Sequence, residues 1–414
     1  MSERVAVRPV RQAMLNPMLP VGLSMALSLF GDLTLYAVLV TQLKTLNITL
    51  AEVGILLSVH RLVRIPFNPL AGWIQDRVGR RGPFLLGLFL SVVSTAAYGL
   101  ASGFWPLLIA RVGWGAAWAL INVGGITMAL DLSAPSDRGR WIGMYNAWMW
   151  VGYALGPVVG SLLSDRFDFR TSMLVCSAIS ALGLAFATLR VVETQPSRTP
   201  ATHIQEVEDK PDVQPAAQRG WMARILLIYS TNQFAVDGVI LSTVTLLITQ
   251  RVGTSFSLGG MMLGAASVGG ILLAARSILA ALLSPLVGRI ADGTWGRKAV
   301  IAAGLAAGVV SFIILTLSTS FIAILLGVII GALSATILIG VLPAALADAA
   351  PPGQLGRVTG QLATAGDIGS TIGPFLALSV APILGLNWAY LLCATLFALG
   401  LILLKTQPKY DTIF

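Results

Sequence analysis

Charge is scarce in this chain. Asp, Glu, Lys and Arg make up 11% of its 414 residues, 56% are hydrophobic, and the mean hydropathy is +0.83. A water-soluble domain carries roughly 25% charged residues, so the composition excludes one and indicates a membrane chain. Cysteine is scarcer still. Cys176 and Cys393 lie in apolar runs in opposite halves, which argues against a structural disulfide and leaves too few thiols for a metal cage; small buried packing residues are the expected reading. His60 and His203 are the only histidines, and neither zinc-ligand spacing, a nucleotide-binding loop nor a triad-like grouping is present. No metal, no cofactor and no enzymatic activity are therefore expected. A cleavable leader is not expected either, because the first apolar run is too long for a signal-peptide core and carries Asp32.

Long apolar runs are abundant. About 20 apolar residues cross the hydrocarbon as a helix, and lipid offers no partner to unpaired backbone groups. The runs are long and continuous rather than short and alternating, which disfavours a β-barrel. Twelve spans are predicted, at 18–43, 51–74, 83–102, 105–130, 141–163, 170–190, 222–249, 257–287, 299–318, 320–346, 357–382 and 386–404; the longer ones tilt or enter the interface. The fold class is an all-α membrane protein of twelve transmembrane helices in two pseudo-symmetric six-helix bundles, 1–190 and 222–414. They are joined by a Pro-rich, charged stretch at 191–221 read as a cytoplasmic linker, in which His203 is expected to be solvated.

Basic residues set the orientation. With the N-terminus inside, 19 of the 27 Lys and Arg fall on the inner side, and only Lys44, Arg166, Arg170 and Arg251 on the outer. Both termini are expected in the cytoplasm of a cell's inner or plasma membrane. The net charge of +9 thus reflects membrane orientation; aromatic–basic interleaving is missing, so no nucleic-acid partner is expected. Trp73, Trp221 and Trp295 near inner boundaries, and Trp105 and Trp388 near outer ones, are expected as interfacial anchors.

The chain repeats itself. Asp131, Gly139, Arg140, Gly143, Gly152, Gly156 and Pro157 recur, with every residue type kept, as Asp348, Gly356, Arg357, Gly360, Gly369, Gly373 and Pro374, at one constant offset of 217. A second signature, Gly72, Asp76, Gly79, Arg80 and Arg81, recurs as Gly288, Asp292, Gly296, Arg297 and Lys298, with one extra residue before Gly296. Duplicated membrane bundles are mostly transporters. One chain supplies both halves of a pathway, so a monomer in a lipid bilayer is expected, with a small-molecule substrate and protons as its partners.

The stretch Gly72-Trp-Ile-Gln-Asp76-Arg77-Val-Gly79-Arg80-Arg81 resembles motif A of the major facilitator superfamily, in the loop between the second and third helices. The resemblance covers the whole chain and specifies the superfamily rather than a substrate. It implies an inner gate in which Asp76 contacts the facing half and Arg80 reaches Asp131, with Arg297 and Asp348 as the symmetric pair. The plainer alternative is that these arginines only follow the positive-inside bias. Arg111 and the small residues after it loosely resemble motif B. Gly143, Gly152, Gly156, Pro157 and Gly160 resemble motif C, the antiporter signature, with Ser161 in place of its final glycine. That likeness implies export by antiport. The pattern recurs in the eleventh span, however, so it marks the ancestral repeat as well as a transport direction.

A charge at a helix centre costs at least about 2.5–3.5 kcal/mol, so Asp32, Arg61, Arg64, Arg111, Asp237, Arg276 and Asp367, with His60, are the functional candidates. At about 1.5 Å per residue, Asp32, Asp237 and Arg111 fall in one layer. Low dielectric favours the neutral acid and a nearby guanidinium the anion. Asp32 is therefore a candidate proton carrier tuned by Arg61 or Arg111, with Asp237 in the comparable place of the second repeat; a static ion pair is the alternative. Four arginines against three acids leave one positive charge in excess, which suits an anion at Arg61, Arg64 and Arg276; internal pairing is the alternative. Trp114 and Trp118, four residues apart, share a face and either pack or stack on a ligand. The expectation is a secondary active transporter, exporting a small amphiphilic solute or drug against protons by alternating access and resembling twelve-helix drug/proton antiporters. Uptake of an anionic metabolite, flipping of a lipid-linked molecule and a non-transporting sensor are the alternatives.

Overall fold

Backbone groups in lipid must be satisfied within their own segment, and this sequence meets that demand with helices. The computed structural model describes residues 17–133, 137–195, 216–258, 261–293, 296–351 and 354–405. The N-terminal half comprises α1 (Met18–Val38), a 3-10 turn (Leu39–Thr41), the short α2 (Leu43–Leu46), α3 (Leu50–Val78), α4 (Arg81–Leu100), α5 (Phe104–Asp131), α6 (Arg138–Arg166) and α7 (Phe169–Arg190). The C-terminal half comprises α8 (Ala216–Asn232), a π-helical stretch (Gln233–Ile240), α9 (Leu241–Arg251), β1 (Ser255–Leu258), β2 (Met261–Gly264), α10 (Ala265–Asp292), α11 (Gly296–Leu317), α12 (Phe321–Asp348), α13 (Leu355–Leu384) and α14 (Asn387–Lys405). Arg4, Arg8, Arg11, Arg198, His203, Lys210, Trp295, Lys409 and most of the expected linker lie outside the described residues.

Among the described residues, eleven helical segments are long and apolar enough to cross a membrane, with α8 to α9 counted as one. The twelfth long helix is α3, of 29 residues, which carries Arg61 and Arg64 in its middle. It starts at a capping box: Thr49 Oγ1 accepts from the Glu52 N–H at 3.3 Å, and Glu52 Oε2 accepts from the Thr49 N–H at 2.7 Å.

The predicted boundaries differ from the structure at the eighth span. Residues 255–258 and 261–264 pair as antiparallel strands, Ser255 opposite Gly264 and Leu258 opposite Met261, and the helix begins only at Ala265. The reason is local. Ser255-Phe-Ser-Leu alternates polar and apolar at strand period, and Gly259-Gly260 is the composition of a two-residue hairpin loop. The other departure is the π turn in the seventh span, which holds Asp237.

The repeated glycine block joins the first and fifth long helices of each half. A Cβ on Gly152 of α6 would meet Ala26 O of α1 at 2.9 Å, and one on Gly369 of α13 would meet Ser230 O of α8. Such backbone approach needs small residues at the crossing.

Among the described residues, the halves are sealed at the end away from motif A. Val38, Leu39 and Val40 share a buried core with Leu246, Leu247 and Ile248, so one apolar cluster runs across both halves at the end away from motif A. Towards motif A the N-terminal half closes on its own separate cluster, which includes Met18, Met25, Phe84, Trp114 and Val191. The described polar contacts between the halves lie in the middle and at the sealed end: Arg64–Asp367 at 3.4 Å, Phe375 N–H to Ser58 Oγ at 3.0 Å, Ser277 Oγ–H to Tyr153 O at 3.5 Å and Ser267 N–H to Asp165 Oδ2 at 2.9 Å. The cleft between the halves therefore opens towards motif A.

The glycine contacts predict a contrast within one motif. Gly152→Val has no room against the Ala26 carbonyl and should destabilise by about 1–3 kcal/mol, the usual cost of overpacking. Gly143→Ala, with nothing within 4 Å of its added methyl, should leave the thermal unfolding midpoint in detergent unchanged or slightly raised.

Candidate functional site

Asp32, in the middle of α1, is 5% exposed and its carboxylate is bonded to Arg111 of α5, itself 1% exposed. Arg111 is held from three sides. Its Nε–H donates to Leu56 O at 2.8 Å, one Nη bonds Asp32, and the other lies 2.7 Å from His60 Nδ1. Guanidinium can only donate, so Nδ1 accepts and the His60 proton sits on Nε2. That nitrogen lies 3.4 Å from the Tyr36 hydroxyl, which also accepts from Arg61 Nε–H at 3.4 Å. A polar chain thus runs Asp32–Arg111–His60–Tyr36–Arg61 across α1, α3 and α5. The depth reasoning placed Asp32 and Arg111 at one height, and the structure brings their side chains together. Tyr36 gave no sequence signal, because a lone tyrosine in an apolar span is ordinary.

The C-terminal half has a corresponding pair. Asp237 accepts from Arg276 of α10 and from Gln233 Nε2 at 3.2 Å. The π turn that holds Asp237 is packed where Gly238 lies against Gly373 of α13, and π turns are frequent at functional sites. Arg64 bridges the halves to Asp367. Of the three arginines expected to bind an anion, Arg64 and Arg276 each hold a carboxylate, and Arg61 has none within 4 Å among the described residues. A small cleft at Arg276 is lined by Trp150, Ser277, Ala332, Thr336 and Ile339.

Trp114 and Trp118 stack on each other, with centroids 6.2 Å apart, and are 1% and 6% exposed. Both belong to the N-terminal half's own apolar cluster, so the structure gives them packing rather than a face towards the cleft.

At motif A, Arg80 Nε–H donates to Asp131 Oδ2 at 3.2 Å and its Nη1 to Asp76 Oδ1 at 2.6 Å. The Asp76 side chain is 71% exposed. It does not touch the facing half as the resemblance implied, because the halves are apart at this end. Arg81 donates to Val191 O and Thr188 O, each at 2.8 Å, and Arg77 lies 4.1 Å over the Trp73 ring. Arg297 bonds Asp348 in the second copy; Gly288 has open space around it, and the Asp292 side chain lies outside the described residues. Arg140 and Arg357 are exposed in the first turns of α6 and α13.

The residue missed at this gate is Glu193. Its carboxylate accepts the N–H groups of Arg80 at 2.8 Å, Arg81 at 3.1 Å, and Thr194 and Gln195 at 3.0 Å, so the start of the linker caps the N-terminus of α4. Gly79, at φ +98°, leaves the room that the carboxylate fills. Thr194 Oγ1 adds a bond to Asp131 at 3.1 Å, and Gln195 Nε2 one to Asp76 O at 2.9 Å. A lone glutamate in a charged linker carries no motif, which is why sequence reading passes over it.

Partial burial works to raise the Glu193 carboxyl, but the N–H donors of Arg80, Gln195, Arg81 and Thr194 outweigh it and hold it below the ordinary carboxylate range. A lowered value means that the strap's contribution is complete above that range and is lost as pH falls through the folded value. Glu193→Gln should speed amide exchange at Arg80 and Arg81 at neutral pH, whereas the wild-type chain should keep that protection from neutral pH down to the ordinary carboxylate range. Hydrogen-exchange mass spectrometry of the motif-A peptide reads both.

The sequence profile of the Major Facilitator Superfamily matches residues 21–276 and 265–412. The chain is 32% identical over 133 residues to the Tetracycline resistance protein, class E, of Escherichia coli, covering 32% of each protein. It is 25% identical over 171 residues to the Quinolone resistance protein NorA of Staphylococcus aureus, covering 41% of this chain and 43% of that protein. In the first relatives matched, the shared stretch spans 31% to 36% of their length. A solved structure of a POT family transporter in complex with 5-aminolevulinic acid has the same fold, with a TM-score of 0.77 at 15% identity over 95% of both chains. With the repeated motif A, the paired half-bundles and a family match spanning nearly its whole length, this chain belongs to the Major Facilitator Superfamily of membrane transporters.

Proposed function

We propose that this protein is a proton-coupled secondary transporter that exports a small amphiphilic solute by alternating access between the halves 1–190 and 222–414. The observation that carries the reading is the buried Asp32–Arg111–His60 chain. An ion pair inside an apolar bundle adds little net stability, and intramembrane ionisable groups mark proton and substrate pathways. The names of the tetracycline- and quinolone-resistance relatives support export.

Arg111 binds Asp32 and His60 with its two Nη groups. A proton on Asp32 removes the charge that Arg111 answers, and the guanidinium is then free to turn. His60 Nδ1 loses its donor in the same step. Because His60 reaches Arg61 through Tyr36, the change arrives beside the cleft. The bias of Lys and Arg puts motif A and both termini in the cytoplasm of the inner or plasma membrane. The conformation described, open towards motif A, then receives solute from the cytoplasm. Closure of that end would bring Asp76 to the facing half while Arg80–Asp131 and Arg297–Asp348 hold the helix ends.

Asp32→Asn keeps the shape and removes the titrating group. In vesicles reconstituted with the full chain and given a tetracycline or a quinolone, the variant should lose pH-driven accumulation and keep solute exchange at equal pH. Accumulation at the wild-type rate would show that the proton travels elsewhere.

A further inference from the structure

The intramembrane charges do not balance, and the structure says where the excess sits. Asp32 is taken by Arg111, Asp237 by Arg276 and Asp367 by Arg64. That leaves Arg61 of α3, 7% exposed, as the one intramembrane arginine among the described residues with no carboxylate. Its protein hydrogen bond is a long one, Nε–H to the Tyr36 hydroxyl at 3.4 Å. A guanidinium has five N–H donors. Among the described residues, the four on its Nη atoms have no protein acceptor. A planar fork with both Nη groups open is the geometry that takes a carboxylate end-on, one oxygen on each Nη.

The surroundings fit the rest of such a molecule. Tyr153 of α6 and Asp237 of the π turn lie within electrostatic reach of Arg61 from two further elements, so the group sits between the halves. The Tyr153 ring lies 5.9 Å from that of Trp150, and Trp150 lines a small cleft with Ala332, Ala335 and Ile339. Arg61 shares the charge of Asp237 without bonding to it, because Arg276 and Gln233 hold its oxygens.

We infer that Arg61 is an anion subsite and that the transported molecule is an organic monoanion, its carboxylate-type group on the Arg61 fork and its apolar or aromatic body against Trp150, Ala332 and Ile339. The inference rests on the transport reading above and narrows it: an amphiphilic cation of the same size would meet one positive charge too many. It also ties loading to coupling, since Tyr36 bonds both Arg61 and His60.

Binding to the purified full chain by titration calorimetry tests this with three probes of one shape: phenylbutyrate, phenylbutanol and phenylbutylamine. The wild-type chain should prefer the anion over the alcohol by at least about tenfold, the factor a charge-assisted hydrogen bond supplies, and bind the amine most weakly. Arg61→Gln should erase the anion's advantage and leave alcohol affinity unchanged, which also reports that the variant is folded. Arg61→Lys, which keeps the charge without the fork, should restore part of it. Equal affinities in the wild-type chain, no affinity for the anion, or an anion preference that survives Arg61→Gln would each overturn the assignment. Vesicle flux of the same probes separates the two claims. Arg61-dependent binding without flux leaves the subsite standing and removes the transport reading; flux without an Arg61-dependent preference does the reverse.

Discussion

The constraint on which the rest of this structure depends is the cost of ionised groups inside an apolar bundle. Removing one partner of a buried ion pair costs about 3–5 kcal/mol, so Asp32 and Arg111 cannot separate unless another charge arrives. A proton on the acid is such a charge, and an anion near the chain at Arg61 is another. His60 fits between them, because Arg111 on one side and Tyr36 on the other hold its two nitrogens in fixed roles. The result is a short chain of bonds in which a change at one end cannot leave the other unaffected.

The repeat explains why this chain faces a partner across the cleft. Each half sets an acid of its first long segment against an arginine, Asp32 with Arg111 and Asp237 with Arg276. The glycines of the repeated block let the fifth long helix of each half come close to the first. Arg64–Asp367 then ties α3 to α13 at mid-depth, and Asp165 caps the start of α10 at the sealed end. Motif A, strapped by Glu193, stands at the open end. The two ends differ in kind: an apolar seal at one, a polar latch at the other.

Much of this was legible in the sequence. The constant offset of the glycine and charge blocks gives the duplicated unit, apolar run length gives the helices, and rise per residue gives the height of each charge. Height is not azimuth, however. Depth placed Asp32 and Arg111 in one layer but left Arg61 an equal candidate for the acid, and only packing turns Arg61 away to Tyr36. The pairing of Arg64 with Asp367 depends on how two distant helices register. The burial of Trp114 and Trp118 depends on which face α5 presents to its own bundle. The strand pair at 255–258 and 261–264 was hidden because its residues are apolar enough to extend a helix, and the π turn because one inserted residue leaves composition unchanged. Glu193 required knowing that the linker's first residues fold back on motif A.

The account's central claim is that solute leaves as protons enter, and flux in sealed vesicles tests it most directly. With the full chain reconstituted and a pH-sensitive dye inside, adding solute to one side under a pH gradient should drive protons in the direction opposite to the solute, and collapsing the gradient should stop net accumulation. Solute movement with no proton movement, or with protons travelling the same way, would contradict the account.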